Sequence, residues 1–323
     1  MIVALGATRV AVLCGVVRFS RITRAVAFAV VALTVVAGCA SEETSGSETT
    51  ASGSVATRDQ GAAPSSAPPG DCPTGPPESL VPQIVAEYPH DPEAFTQGLL
   101  VVDDQLYEGT GLVGRSTVRR VDLTTGEPLL SVTIPGPEFG EGIAETADGR
   151  LVQLTWTEGV AFVRDPLTLE VLDTWSYDGE GWGLTTLDDG TFVQSDGTST
   201  LTWRDGATFE PTDRRTITRT DGPVDQLNEL DWDGTSLWAN RWRVDEIVRI
   251  DLRCGRVDAV VDTTSLSESI RSRPVPDGLK PPDVLNGVAH LPGTDRFLVT
   301  GKLWPALFEV RFVPAETEVS STR

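Results

Sequence analysis

The sequence predicts an all-β fold built from repeated units of four strands each. From Val81 onward, short runs of β-forming residues alternate with Asp-Gly, Thr-Gly or Pro turns, and no segment sustains a helical period. The chain contains 31 Gly and 22 Pro, which favours many turns over long helices. Five segments open alike, and their second residues, at positions 98, 142, 183, 229 and 287, are 44, 41, 46 and 58 residues apart. Periods of about 40 to 50 residues with four strands per unit are typical of propeller blades, so we predict a five-bladed β-propeller.

Each unit is expected to place its strands in the same order. The openers, which we interpret as first strands, are Gln97-Gly98-Leu99, Glu141-Gly142-Ile143, Trp182-Gly183-Leu184, Asn228-Glu229-Leu230 and Asn286-Gly287-Val288. A further strand is expected after the polar loop of a unit, at Thr117–Leu123, Gly159–Arg164 and Glu246–Leu252. Fourth strands are expected at Pro128–Ile134, Glu170–Ser176 and Arg215–Arg219.

The two ends of the repeat predict how the ring closes. The fifth unit stops after Leu307–Val313 and lacks a fourth strand, whereas Val81–Tyr88 resembles a fourth strand without the three before it. We therefore expect Val81–Tyr88 to complete the fifth blade, which removes two exposed sheet edges. The last spacing is lengthened by Ser265–Asp283, an insertion rich in Pro, Ser and charge that we expect to lie over one face of the ring.

The N-terminal region has the features of an export signal. Four arginines and no acidic residue precede the apolar run Ala25–Gly38, which is too short to span a bilayer but fits a signal peptide. Val36-Ala37-Gly38-Cys39 resembles a bacterial lipobox, in which the cysteine is lipidated and becomes the first mature residue. We predict export, with Cys39 holding the protein at the outer face of the cell membrane; plain secretion is the alternative.

The composition divides the rest of the chain. Residues 1–38 are assigned to the signal peptide and 39–80, rich in Ser, Thr, Gly and Pro, to a disordered tether. Residues 81–314 are assigned to the propeller and 315–323 to a C-terminal tail. Once the signal and Cys39 are set aside, Cys72 and Cys254 remain, and in an oxidising compartment a disulfide between them is favoured over two free thiols.

Charge and histidine content exclude several partners. With 47 acidic and 26 basic residues the formal charge is −21, which argues against nucleic acid because phosphate contacts need clustered cations. Only two histidines are present, so a three-histidine zinc site is excluded. We expect no cofactor. A structural calcium ion in the acidic channel is compatible with the sequence, although the sequence contains no typical calcium-binding loop. The membrane is expected to be contacted only through the lipid anchor, and a closed, acidic ring is compatible with a monomer.

The openers predict one central pocket, because the first strands of a propeller line its channel. Residues on or beside the openers, together with the loops that follow the first strand pairs, supply aromatic rings, amides, a carboxylate and one ammonium. They are Phe95, Gln97, Phe139, Glu141, Trp156, Trp182, Asn228, Trp242, Lys302 and Trp304. This mixture is typical of a pocket for a small polar substrate. Trp175, Trp203, Trp232 and Trp238 lie within strands and are expected in the core.

Motifs in every unit resemble those of a known family. They are His90-Asp91-Pro92 through Gln97-Gly98-Leu99, Tyr107-Glu108-Gly109-Thr110-Gly111, Phe139-Gly140-Glu141-Gly142, Trp182-Gly183-Leu184, Leu227-Asn228-Glu229-Leu230, Trp238-Ala239-Asn240, Leu285-Asn286-Gly287 and Thr300-Gly301-Lys302-Leu303-Trp304. Together they resemble the plant-type glutaminyl-peptide cyclotransferases, which also occur in bacteria and fold as five-bladed propellers. The resemblance covers nearly all of residues 84–312. The family more often has Ser before Thr110 and lacks the insertion before Asn286.

The resemblance implies conversion of an N-terminal glutamine to pyroglutamate with loss of ammonia. The substrate's own α-amine attacks its γ-amide, so the enzyme needs no Ser or Cys nucleophile. Glu141 is expected to act as base and then acid, and Lys302 to stabilise the oxyanion, with Gln97 or Asn228 orienting the amide. The six aromatic residues of the pocket, Phe95, Phe139, Trp156, Trp182, Trp242 and Trp304, are expected to exclude water. The partners are therefore peptides or proteins that begin with Gln.

Two other classes remain compatible with the same pattern. A non-catalytic surface propeller that binds peptides or glycans would keep the aromatic mouth without needing Glu141. A metal-dependent sugar lactonase would need converging carboxylates and a divalent ion. Glu108, Glu229 and His90 are expected to be hydrogen-bonded structural groups rather than further acids or bases.

Overall fold

The structure is a computed structural model that describes Cys72 and residues 74–316. The signal peptide, Cys39, and most of the predicted tether and C-terminal tail lie outside the described residues. Within the described part of the chain, no helix is long and apolar enough to cross a membrane.

The first three units form separate four-stranded sheets. Strand β1, Glu78–Pro89, precedes them and joins a different sheet. The first sheet contains β2 (Thr96–Val102), β3 (Gln105–Thr110), β4 (Thr117–Val121) and β5 (Pro128–Thr133). The second contains β6 (Gly140–Glu145), β7 (Leu151–Thr155), β8 (Val160–Arg164) and β9 (Val171–Ser176). The third contains β10 (Leu184–Thr186), β11 (Phe192–Gln194), β12 (Thr200–Arg204) and β13 (Pro211–Thr216).

The remaining strands form one ten-stranded sheet. They are β1 and, in chain order, nine further strands: β14 (Thr218–Arg219), β15 (Gly222–Pro223), β16 (Leu227–Trp232), β17 (Leu237–Arg241), β18 (Glu246–Asp251), β19 (Arg256–Asp262), β20 (Leu285–His290), β21 (Phe297–Gly301) and β22 (Ala306–Pro314). The main path is β16-β17-β18-β19-β1-β22-β21-β20. Strand β1 pairs antiparallel with β22 from Leu80 to Pro89 and parallel with β19 from Glu78 to Leu80. The prediction that Val81–Tyr88 pairs with the last strand is confirmed.

The first strands of the units contact one another in a closed cycle. Strand β2 contacts β6 and β20, β6 contacts β10, β10 contacts β16, and β16 contacts β20. Most residues of these inner strands are buried, whereas the outer strands β9 and β13 are mainly exposed. Side chains that begin the inner strands therefore converge, although they come from distant parts of the sequence.

A repeated aspartate turn joins the third strand of a unit to the fourth. The Oδ1 atoms of Asp122, Asp165 and Asp205 each accept hydrogen bonds from the backbone N–H groups two and three residues later, at 2.8 to 3.0 Å. An Asp side chain that bonds its own following backbone stabilises such a turn. The same aspartate turn thus leads into the outer strand of each of the first three units.

Two sequence predictions about secondary structure are wrong. The insertion contains a helix, α1 (Thr264–Arg271), which buries Leu266 and Ile270, four residues apart, against the core. At eight residues the helix is too short for its period to stand out. The fourth strand of the third unit is β13, Pro211–Thr216, and not Arg215–Arg219. This exposed edge strand carries no alternating apolar residues to fix its position.

Cys72 and Cys254 form a disulfide, as predicted, with their Cα atoms 5.8 Å apart. The bond ties the chain before β1 to the turn between β18 and β19. Since β1 also pairs with β19 and β22, the first described residues are held covalently and by hydrogen bonds at the same sheet.

Candidate active site

Nine of the ten predicted pocket residues line one cavity of about 300 Å³. The cavity is lined by Phe95, Gln97, Phe139, Glu141, Trp156, Trp182, Asn228, Trp242, Arg243, Asp283, Val284 and Lys302. This volume is at the lower end of the range for small-molecule pockets. The site is therefore suited to a single amino-acid residue rather than to a long segment of chain.

β-Bulges turn the polar side chains of the inner strands toward this cavity. The strand pairing shifts between Thr96 and Gly98, between Gly140 and Ile143, and between residues 227 and 230. The residues inside these shifts include Gln97, Glu141 and Asn228. A bulge changes the direction of a side chain at the end of a strand, which places all three on the cavity wall.

Glycine in the openers lets neighbouring units approach closely. A Cβ atom on Gly142 would lie 2.6 Å from the Trp182 carbonyl oxygen, and one on Gly183 would lie 2.0 Å from the Asn228 carbonyl oxygen. Neither distance is sterically allowed. The glycines that defined the repeat in the sequence are therefore needed to bring the inner strands, and the site residues on them, together.

Glu141 is held at the floor of the cavity by a chain of amides. Its carboxylate, 4% exposed as a residue, accepts a hydrogen bond of 3.0 Å from Gln97 Nε2. Gln97 Oε1 in turn accepts one of 3.2 Å from Asn286 Nδ2, which also donates to the Thr96 carbonyl at 3.0 Å. These contacts orient the Gln97 amide so that its NH₂ group faces Glu141.

The two buried charges of the cavity shift each other's protonation. Burial raises the pKa of Glu141 well above its usual value; Lys302 opposes this shift, and Glu158 and Glu180 add to it. Burial lowers the pKa of Lys302, and Glu141 and Asp283 partly offset the effect. The result is a carboxyl group whose pKa is higher than that of an exposed glutamate, so it holds its proton more tightly.

Lys302 has a free ammonium group facing the aromatic wall. Its Nζ lies 4.8 Å from the centroid of the Phe95 ring, a cation–π contact. Among the residues that the structure describes, Lys302 forms no ion pair within 4.0 Å. Asn228 is similar, since its buried Oδ1 has no hydrogen-bond partner within the described part of the protein. A donor and an acceptor are thus both available to a bound molecule.

Aromatic rings in edge-to-face contact build the walls. The Phe95 and Phe139 centroids are 6.2 Å apart, those of Phe139 and Trp156 are 5.8 Å apart, and Trp182 packs on Trp242 at 5.3 Å. At the rim, Glu180 Oε2 accepts hydrogen bonds from the indole nitrogens of Trp156 at 2.7 Å and Trp182 at 2.9 Å. Glu180 therefore fixes both tryptophans.

The structure does not bring Trp304 to the cavity. The residue is 1% exposed, packs in the core against Phe308, and donates its indole N–H to the Asp283 carbonyl at 2.9 Å. A Cβ atom on Gly301 would lie 2.3 Å from the Trp304 ring, so the indole folds back over this glycine. The prediction that Trp304 contacts the substrate is corrected. Its indole instead holds the backbone at Asp283 through this hydrogen bond.

Sequence reasoning missed three lining residues. Arg243 lies between β17 and β18, directly after Trp242. Asp283 is the last residue of the insertion, and Val284 follows it, directly before β20. The Asp283 N–H donates to the Lys302 carbonyl at 2.8 Å, which brings the end of the insertion beside the lysine. A neighbouring pocket tryptophan could have drawn attention to Arg243; nothing in the sequence ties Asp283 to Lys302.

The other buried acids have structural hydrogen bonds, as expected. The Glu229 carboxylate accepts from the Leu99 N–H at 3.2 Å and the Val288 N–H at 2.8 Å, which joins three units at the centre. Glu108 accepts from His90, Thr96 and Arg119 outside the cavity. Neither residue lines the cavity.

The inner strands form an all-β, propeller-like ring around a small pocket that contains a buried carboxyl group and a buried ammonium group. This combination is typical of an enzyme active site. Comparison with known proteins identifies the family. A family model for glutamine cyclotransferase matches residues 56–312. The glutaminyl-peptide cyclotransferase of Arabidopsis thaliana is 38% identical over 238 residues, which is 73% of this chain and 72% of that protein.

A solved structure agrees with this match. The crystal structure of Myxococcus xanthus glutaminyl cyclase is similar with a TM-score of 0.68 at 35% identity, and the match covers 74% of this chain and 100% of the other. The chain belongs to the glutamine cyclotransferase family, which confirms the family resemblance seen in the sequence.

Proposed function

We propose that the protein is a glutaminyl-peptide cyclotransferase that converts the N-terminal glutamine of peptides or proteins to pyroglutamate and releases ammonia. The observation that carries this proposal is the buried Glu141 carboxyl, hydrogen-bonded to Gln97 and facing the same aromatic cavity as Lys302. The family of the chain provides independent support.

Binding of the substrate uses the free polar atoms of the cavity. The side-chain methylenes of the substrate glutamine pack against Phe95, Phe139 and Trp182. Its amide NH₂ donates to Asn228 Oδ1, which has no hydrogen-bond partner among the described residues. Its γ-carbonyl oxygen accepts from Lys302 Nζ. The small cavity bends the side chain back over the α-amine, and holding the two reacting groups together can contribute several kcal/mol to the acceleration.

The reaction then proceeds with one proton shuttle. The α-amine nitrogen attacks the γ-amide carbon and forms the ring C–N bond, while Glu141 accepts the proton that the nitrogen loses. Lys302 stabilises the negative charge that develops on the carbonyl oxygen. Glu141 returns the proton to the amide nitrogen, the bond from that nitrogen to carbon breaks, and ammonia leaves.

A raised pKa suits Glu141 to both transfers. A carboxyl group with the pKa of an exposed glutamate would be a weak base toward an amine and a reluctant carrier of the returned proton at neutral pH. Because each step has a protein group to perform it, we propose that the reaction needs no metal ion.

The finer architecture and the location are part of the same proposal. The closed cycle of five inner strands supports five blades, with residues 81–314 as the propeller and the ten-stranded sheet as two blades joined through β1. The disulfide supports an oxidising compartment. We propose a monomer that is exported through the signal peptide, is anchored by lipidated Cys39 or secreted, and carries its active domain on the tether.

The test is to incubate the purified protein with a Gln-initiated dipeptide and measure ammonia release with and without a strong chelator. The proposal expects release in both conditions. A metal-dependent hydrolase would lose its activity to the chelator, and a peptide-binding module would bind the dipeptide without releasing ammonia. No ammonia from any Gln-initiated peptide would refute the proposed function.

A further inference from the structure

One basic side chain at the rim of the cavity has no charged partner in the part of the chain that the structure describes. Arg243 is exposed and lines the cavity beside Trp242. Its guanidinium carbon lies 4.1 Å from the centroid of the Trp242 ring, and among the described residues it forms no ion pair within 4.0 Å. A guanidinium stacked on an indole keeps its N–H donors at the edge of its plane, where a carboxylate can reach them.

The backbone holds Arg243 in this position. Its φ of 62° lies in the left-handed region, which non-glycine residues rarely adopt. On one side the Trp242 N–H donates to the Gln226 carbonyl at 2.8 Å, and on the other the Val244 N–H donates to the Arg241 carbonyl at 3.1 Å. The loop is tied on both sides of Arg243, so the side chain is presented from a fixed point on the rim.

The acidic side chains near the mouth already accept hydrogen bonds from neighbouring residues. Glu180 accepts hydrogen bonds from the indoles of Trp156 and Trp182. Glu158 accepts from the backbone N–H of Thr157 at 3.2 Å and from its hydroxyl at 3.3 Å. Asp283, the exposed acid of the lining, accepts a hydrogen bond from the Val284 N–H at 2.8 Å. Arg243 has no such polar partner among the described residues, and it is therefore the basic rim group that is free to bind a ligand.

The depth of the site decides which part of a substrate meets Arg243. Glu141, at the floor, is 4% exposed, whereas Arg243 is exposed. In the proposed reaction the amine and the γ-amide of the first residue must both reach Glu141. The N-terminal glutamine then fills the cavity of about 300 Å³, and the second residue of the peptide lies at the rim.

We propose that Arg243 is a specificity-determining residue that selects peptides with Asp or Glu directly after the N-terminal glutamine. This inference rests on the proposed function, since it assigns the substrate class of the same cavity. The interaction is an exposed ion pair, for which a preference of about threefold to fivefold is expected. Because solvent reaches the pair, the preference should decrease as salt is added.

The experiment compares kcat/KM, from ammonia release, for the tripeptide amides Gln-Glu-Ala, Gln-Ala-Ala and Gln-Lys-Ala. Amidation removes the C-terminal carboxylate, so the second residue carries the only variable charge. Wild-type protein, Arg243→Gln and Arg243→Glu are assayed in low and high NaCl. The matched control is Arg253→Gln, because Arg253 is a surface arginine with a 75% exposed side chain that does not line the cavity.

For the wild type and the Arg253→Gln control, kcat/KM should be highest with Glu as the second residue of the peptide, lower with Ala and lowest with Lys. Arg243→Gln should reduce the ratio of kcat/KM for the Glu peptide to that for the Ala peptide to about 1. Arg243→Glu should reverse the order of the three peptides. Equal rates for the three peptides in the wild type, or an unchanged ratio in Arg243→Gln, would overturn the role of Arg243 and leave the cyclase function standing. Absence of ammonia from all three peptides would overturn both.

Discussion

Replacing Glu108 with Gln should destabilise the fold by about 3 kcal/mol at neutral pH. Glu108 is 1% exposed and accepts hydrogen bonds from Thr96 Oγ1 at 2.7 Å, His90 Nε2 at 3.1 Å and Arg119 Nε at 3.0 Å. Burial favours its neutral form, but Arg119 and His90 outweigh burial and lower the pKa from 4.5 to about 2. A difference of about 2.5 pKa units corresponds to about 3 kcal/mol of folding free energy.

The sign of the pH dependence follows from the lowered pKa. The Glu108 contribution is fully present above pH 4.5 and is lost as the pH falls from 4.5 toward 2. Urea denaturation at pH 7 and at several lower pH values measures the free energy of unfolding of both proteins. The gap between wild type and Glu108→Gln should be about 3 kcal/mol at pH 7 and should narrow at acid pH.

An exposed ion pair on the same unit provides the control. Glu93 lies 3.8 Å from Arg115, and both side chains are more than 60% exposed. Glu93→Gln should therefore change the free energy of unfolding by about 0.5 kcal/mol or less. If Glu108→Gln is no more destabilising than Glu93→Gln, or if its deficit stays constant as the pH falls, the buried ion pairs do not stabilise this fold as argued.

Three further predictions concern the active site and the disulfide. Lys302→Met should reduce kcat by about 100-fold, because the oxyanion loses its stabilising charge. It should also shift the acid limb of the pH profile of kcat/KM to higher pH, because Lys302 lowers the pKa of Glu141. An acid limb that does not shift would contradict this prediction. Glu180→Gln should move the same limb to lower pH, since the Glu180 charge raises that pKa, and a shift upward would be incompatible with the account. Replacing Cys72 and Cys254 with Ser should lower the free energy of unfolding by at most about 5 kcal/mol, because the disulfide closes a loop of 182 residues. Urea denaturation under non-reducing conditions measures this loss of stability. An unchanged free energy of unfolding would contradict the prediction.

The repeat in the sequence predicted the polar part of the site because close packing of the inner strands favours a glycine at the same place in four of the five openers. The glycine of an opener permits close approach, and the bulge around it aims the neighbouring side chain inward. Gln97, Glu141 and Asn228 could therefore be placed at one cavity from their positions in the repeat. The pairing of β1 with β22 followed from counting strands in the first and last units.

The parts that the sequence did not predict depend on contacts between distant segments or on short elements. Trp304 follows Lys302 by two residues, yet the space left by Gly301 lets its ring fold into the core. Asp283 reaches the cavity because the end of the insertion is hydrogen-bonded to the Lys302 backbone. Helix α1 buries only two large apolar side chains, Leu266 and Ile270, and so leaves a weak pattern.

The central claim is that Glu141 transfers the proton in an intramolecular cyclisation. The most direct measurement is the rate of ammonia release from a Gln-initiated dipeptide by wild type, Glu141→Gln and Glu145→Gln, with circular dichroism to verify that each is folded. Glu145 is the matched control because it ends the same strand, β6, without lining the cavity. We predict that Glu141→Gln folds and loses at least about 100-fold in turnover, while Glu145→Gln keeps the wild-type rate. A folded Glu141→Gln protein that releases ammonia at nearly the wild-type rate would contradict the account.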